Sequence, residues 1–190
     1  MELTLGYIFV HGLGQTSSSW DETVSYLEGH IHVNCPNLFA LCKVQKISYQ
    51  NLYDAFKEYC DGVSGRLDLC GISLGAILAL NYAIDHPEKV KSLVLIAPQY
   101  KMPRVLLKFQ SMFFRFIPKQ SFSKLGIKKK DAIQLINSMM NLNFSDRLNH
   151  ISCPTLIVCG TKDIANRKAA KEFSQSYLGN SISSSSPRRP

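Results

Sequence analysis

Gly71-Ile72-Ser73-Leu74-Gly75 places a serine midway between two glycines. A serine hydroxyl attacks a carbonyl carbon well only when it stands clear of its neighbours and a base removes its proton. A sharp turn from strand to helix meets the first condition. Glycines on either side keep such a turn from colliding with the adjacent strand and helix. The hydroxyl then lies near the positive end of a helix. Ser73 is the candidate nucleophile, with Gly71 and Gly75 as its supporting turn. The competing reading is a serine in an ordinary glycine turn.

Acyl transfer builds negative charge on the carbonyl oxygen, and two backbone N–H groups aimed at that oxygen stabilise it. His11-Gly12-Leu13-Gly14 ends an apolar run and supplies a glycine loop. The N–H groups of Leu13 and Leu74 are the candidates for this oxyanion hole, with His11, Gly12 and Gly14 shaping the turn. His11 reads more readily as a brace for the loop than as a base. Asp163, just past the apolar run Thr155 to Gly160, is the candidate acid that would orient a histidine. Its alternative role is a cap for the helical segment that follows.

These residues need elements to hold them. Apolar runs at Leu5 to Val10, Arg66 to Ile72, Val90 to Ala97 and Thr155 to Gly160 predict strands. Helical periodicity predicts helices over Ser19 to Leu27, after a Ser48 cap, over Leu74 to Ile84 and over Asn166 to Tyr177. His32 to Leu41 reads as a short strand and loop broken by Pro36. Strands that are apolar throughout must be covered on both faces, so the fold class is α/β, a mostly parallel sheet with helices on both sides. Residues 99–150 hold no strand-like run and read as a helical cap insertion. The expected organisation is an α/β core over 1–98 and 151–178, the cap between them over 99–150, and a serine-rich tail, 179–190, without regular structure.

The chain has 190 residues, 45% hydrophobic and 19% charged, which suits one soluble globular domain. No apolar run is long enough to cross a membrane. Neither a basic start nor a cleavage site marks a leader, which leads to a cytoplasmic expectation. Six cysteines without a C-x-x-C pair read as reduced thiols, not a disulfide frame or a zinc site. The net charge is +8, and from Lys89 to Lys130 there are Lys and Arg but no Asp or Glu. Nucleic acid is not expected, because no reading motif accompanies the basic residues. Peripheral membrane contact through the basic cap is compatible with this composition but not expected. Nothing in the sequence sets an oligomeric state.

With these motifs the chain resembles the α/β-hydrolase superfamily, in the branch of small esterases, lipases and acyl hydrolases with a helical cap. Three segments carry the resemblance: His-Gly-Leu-Gly, Gly-Ile-Ser-Leu-Gly, and Pro-Thr-Leu-Ile-Val-Cys-Gly-Thr-Lys-Asp. Ala83 to Val90 also resembles the family's exit from the nucleophile helix. The resemblance implies the order serine, acid, histidine, hence Ser73 and Asp163 in the first two roles. It implies no metal and no organic cofactor.

One member of the triad is missing. The family's histidine follows the acid after one more strand, and no histidine lies beyond His150. His30, His32, His86 and His150 all precede strands and fall at the wrong edge of the sheet; His11 alone is at the right one. The last strand and helix also read as absent, so the fold is expected to be C-terminally incomplete. The expected function is a carboxylic ester or thioester hydrolase acting on a small, largely apolar acyl substrate through an acyl-serine, impaired in this copy. The alternative is an inactive ligand-binding protein on the same fold. Val105, Phe109, Met112 and Phe116 recur at helical spacing and are expected to face the substrate from beneath the cap; the alternative is that this stripe simply packs the cap onto the body.

Overall fold

The computed structural model describes residues 6–42, 47–123, 127–176 and 181–185. Its centre is one parallel sheet, with β1 (Tyr7–Val10), β2 (Val33–Asn34), β3 (Leu67–Ile72), β4 (Val90–Ile96), β5 (Thr155–Cys159) and β6 (Ser181–Ser185) in the order β2-β1-β3-β4-β5-β6. Every pairing is parallel, so all the strands end at one rim. In register, Val10 lies opposite Gly71, Ile72 opposite Ile96, and Ile96 opposite Val158.

Helices α1 (Asp21–Ser25), α2 (Leu38–Leu41), α3 (Tyr49–Asp61) and α4 (Leu74–Asp85) belong to the first part of the chain. Ser48 caps α3, its side chain accepting from the Asn51 N–H at 3.2 Å, an arrangement worth about 1 kcal/mol. Tyr49, Leu52, Tyr53, Phe56 and Cys60 give α3 its buried stripe. Helix α4 is buried all round, from Leu74 to Ile84. At its far end Asp85 accepts from the Tyr53 hydroxyl and pairs with Arg147, which fastens α3 and the turn 145–150 to it.

Between β4 and β5 run α5 (Arg104–Phe114), α6 (Lys119–Ser123) and α7 (Lys129–Met139). Helix α7 buries Ala132, Leu135, Ile136 and Met139 in the main core, and the Ser138 hydroxyl accepts from the Tyr49 N–H at 2.8 Å. Helix α8 (Ile164–Ser176) follows β5.

Three expectations change. The helix over Ser19 to Leu27 is a 3₁₀ turn, Ser17–Trp20, running into the five-residue α1. After Pro36 the chain forms α2, because the Asn37 side chain accepts from the N–H groups of Phe39 and Ala40. Ser181–Ser185, placed in a tail without structure, forms β6 alongside β5.

All six cysteines are free thiols, and Cys42, Cys60, Cys70 and Cys153 are buried. Among the described residues no helix is long and apolar enough to cross a membrane, and no group of three or more His, Cys, Asp or Glu is placed to hold a metal ion.

Candidate active site

Ser73 stands between the last residue of β3 and the first of α4, and it is exposed. Its backbone has φ 53° and ψ −113°, a conformation that costs an L-residue on the order of 1–3 kcal/mol and persists only where the surroundings impose it. They do so here through two hydrogen bonds. The Ser73 N–H donates to the Ile96 carbonyl at 2.9 Å, and the Ser73 carbonyl accepts from the Ile77 N–H at 3.1 Å to open α4.

The flanking glycines are required by contact. A Cβ on Gly71 would lie 2.4 Å from the Gly75 carbonyl oxygen, and one on Gly75 would lie 2.1 Å from that of Val10. The turn is therefore pressed against both its own helix and the end of β1. A Cβ on Gly12 would lie 3.4 Å from the Ser73 Cβ, so the loop after β1 passes directly beside the serine.

That loop is fixed by two side chains. His11 is fully buried. Its Nε2 accepts from the Leu38 N–H at 3.1 Å, which leaves Nδ1 to donate to the Gly12 carbonyl at 2.9 Å. Both ring nitrogens are thus engaged with backbone, and the imidazole joins the loop to the start of α2. Burial pushes its pKa below the ordinary value, outweighing the opposite pull of the Gly12 carbonyl. The second brace, Gln15, escaped sequence reasoning; its Oε1 accepts from the Gly12 N–H at 2.8 Å, and its own N–H donates to the Gly12 carbonyl at 3.3 Å. Beyond the Gly12 amide come half-buried Leu13 and then Gly14, whose φ of 84° suits glycine.

Asp163 follows β5 at the same rim as Ser73, two strands across the sheet. It caps α8. Its Oδ1 accepts from the Asn166 N–H at 3.1 Å, and its carbonyl accepts from the Arg167 N–H at 3.0 Å. Its Oδ2 accepts from the Asn166 side-chain amide at 2.7 Å, and the Asn166 Oδ1 in turn accepts from Gln99 at 2.6 Å. A chain of polar side chains therefore runs along the rim from β5 to the end of β4. Asn166 and Gln99 carried no sequence signal for this.

The remaining histidines lie at the other end of the strands. His30 and His32 precede β2, His86 precedes β4, and His150 precedes β5. Of this chain's five histidines, only His11 reaches the serine rim, and its nitrogens are occupied.

Against the Leu13-Gly14 turn lies an apolar cavity of about 130 Å³, lined otherwise by Phe114, Ile117, Ser121, Phe122 and Ile127. Two of the residues expected to face the substrate, Met112 and Phe116, face solvent instead. Met112 is 52% exposed and Phe116 78%, while Val105 and Phe109 lie outside the described side chains. The inward face of α5 is set instead by Leu107 and Ser111, both buried, with the Ser111 hydroxyl donating to Asn137 of α7 at 3.0 Å.

Known proteins agree with this architecture. Residues 8–142 match the alpha/beta hydrolase fold family. A pimeloyl-[acyl-carrier protein] methyl ester esterase of Nitrosomonas europaea is 29% identical over 90 residues, 47% of this chain and 36% of that protein. The probable lysophospholipase BODYGUARD 1 of Arabidopsis thaliana is 28% identical over 130 residues, 60% of this chain and 27% of that protein. The chain thus spans only about a third of the length of these relatives. MenH from S. aureus superposes with a TM-score of 0.77 at 17% identity, covering 97% of this chain and 85% of that one, a likeness of fold.

Proposed function

The chain belongs to the alpha/beta hydrolase fold family, and we propose that it acts on a carboxylic ester or thioester, with Ser73 as nucleophile. The observation that carries this reading is the exposed, strained Ser73, held against the Gly12 turn. Strained non-glycine residues cluster at functional sites, which supports this reading.

In the proposed reaction Ser73 Oγ bonds to the carbonyl carbon, and the alcohol or thiol departs with the serine proton. Water then releases the acid. The Leu13 and Leu74 amides stabilise the oxyanion, each worth about 3–4 kcal/mol in such a site. The apolar cavity beside Leu13 receives the acyl group. Relatives named as a methyl ester esterase and a lysophospholipase support an ester as the substrate class.

Asp163 fits the acid's role by its place at the rim, although its oxygens are engaged by Asn166. Among these 190 residues no histidine stands free at that rim, and the residues present supply an oxyanion hole and binding, worth about 10³- to 10⁴-fold over water without a base. That same observation favours a second reading, a ligand-binding protein that retains the pocket without turnover.

A fluorophosphonate probe and a series of p-nitrophenyl esters separate the two. Covalent labelling at Ser73 with slow ester turnover, both lost in Ser73→Ala, is the expected result. Absence of labelling and turnover, together with saturable binding of an apolar carboxylate, would establish the binding protein instead.

A further inference from the structure

Helix α5 turns apolar side chains toward water. Met112 and Phe113 are 52% and 63% exposed, and Phe116 in the turn that follows is 78% exposed. At 3.6 residues per turn these three share an arc roughly 100° wide. Arg104, Lys108 and Arg115, all exposed, occupy the adjoining arc. From Lys89 to Lys130 the chain carries no acidic residue at all. An apolar strip beside a cationic strip on one helix is the pattern of a segment that lies in the plane of a membrane surface.

We propose that this face of α5 docks on an anionic phospholipid bilayer. The three apolar side chains enter the boundary between headgroups and acyl chains, while the three cations remain at headgroup level. Three features favour this occupant. The patch lies on the outer side of a helix rather than in a groove, so no partner helix or peptide is cradled by it. Its charge complements an acidic surface and repels a second copy of this chain, whose net charge is +8. The adjacent residues Phe114 and Ile117 line the cavity beside Leu13, so docking here brings that cavity close to the lipid. The inference goes beyond the hydrolase reading and does not depend on it.

Sedimentation of the full chain with vesicles tests it. Phosphatidylcholine vesicles containing phosphatidylserine should bind at least about tenfold more protein than pure phosphatidylcholine, and added salt should release it. The triple variant Met112→Ser, Phe113→Ser, Phe116→Ser should lose binding to both while melting as the parent does, since those side chains are exposed. Arg104→Gln, Lys108→Gln, Arg115→Gln should lose only the preference for phosphatidylserine. In the active-serine variant Ser73→Ala binding should be unchanged, which separates this result from any failure of the hydrolase reading. Equal binding to both vesicles, undiminished binding by the apolar triple variant, or a patch that instead holds two chains together in solution would overturn the proposal.

Discussion

His11 shows how a residue with catalytic chemistry can be committed to structure. Its position at the serine rim makes it the natural replacement for an absent base, yet Leu38 and Gly12 take both nitrogens. Protonation would turn Nε2 from an acceptor into a donor facing the Leu38 N–H, so the folded state holds the ring neutral. The folded pKa is lowered, chiefly by burial, which fixes the sign of the pH dependence. The unfolded chain binds the proton first, near pH 6.5. Stability from this ring is full above that pH and is lost as the pH falls toward the folded value. Melting temperature should therefore drop between pH 7.5 and 5. In His11→Gln, already less stable, that part of the drop should vanish. An equal slope in both proteins would show that other groups govern the acid response. The turn at Ser73 was legible from its glycines because close contact permits nothing larger at Gly71 and Gly75. Gln15 was not, because a side chain returning to a loop amide three residues away leaves no periodic trace.

At the scale of elements, strands β1, β3, β4 and β5 and helix α4 were readable because burial on both faces demands unbroken apolar runs. Helix α2 was not, since a four-residue helix held by one asparagine cap has no period to detect. The cap shows a different limit. Periodicity in α5 revealed a stripe but not the side it faces: Met112 and Phe116 of that stripe are exposed, while the buried Ser111 bonds to Asn137 on the inward side. Strand β6 likewise has a sequence, Ser-Ile-Ser-Ser-Ser, with little apolar pattern to announce it. For α8 the question is whether Asp163 is more than a cap. Asp163→Ala removes the acceptor for the Asn166 N–H and should cost about 1 kcal/mol in urea unfolding. Asp163→Asn keeps an oxygen for that bond and should cost less. If the carboxylate also serves Ser73, both variants slow fluorophosphonate labelling equally despite their different stabilities. Labelling that remains at the parent rate in Asp163→Asn would confine the residue to capping.

At the scale of the whole molecule, the loop after β1 and the helices between β4 and β5 come together around an apolar cavity. Neither part makes that cavity alone: Leu13 and Gly14 supply one wall, and Phe114, Ile117, Ser121, Phe122 and Ile127 face them. Its volume, about 130 Å³, is a little less than the roughly 150 Å³ in which a dry apolar cavity accepts benzene. An acyl chain of about four carbons should fill it. Each methylene buried there adds about 0.8 kcal/mol, roughly fourfold in affinity. Calorimetric titration with acetate, butyrate, hexanoate and octanoate should show affinity rising to about the butyrate length and then levelling. Ser121 lines the same space but is otherwise exposed, so Ser121→Phe can occupy the cavity from its rim with little effect on folding. It should abolish the gain with chain length and leave the melting temperature near that of the parent. A series that keeps rising through octanoate in the Ser121→Phe protein would place the apolar ligand elsewhere, and the enclosure formed by cap and sheet would not be the acyl site.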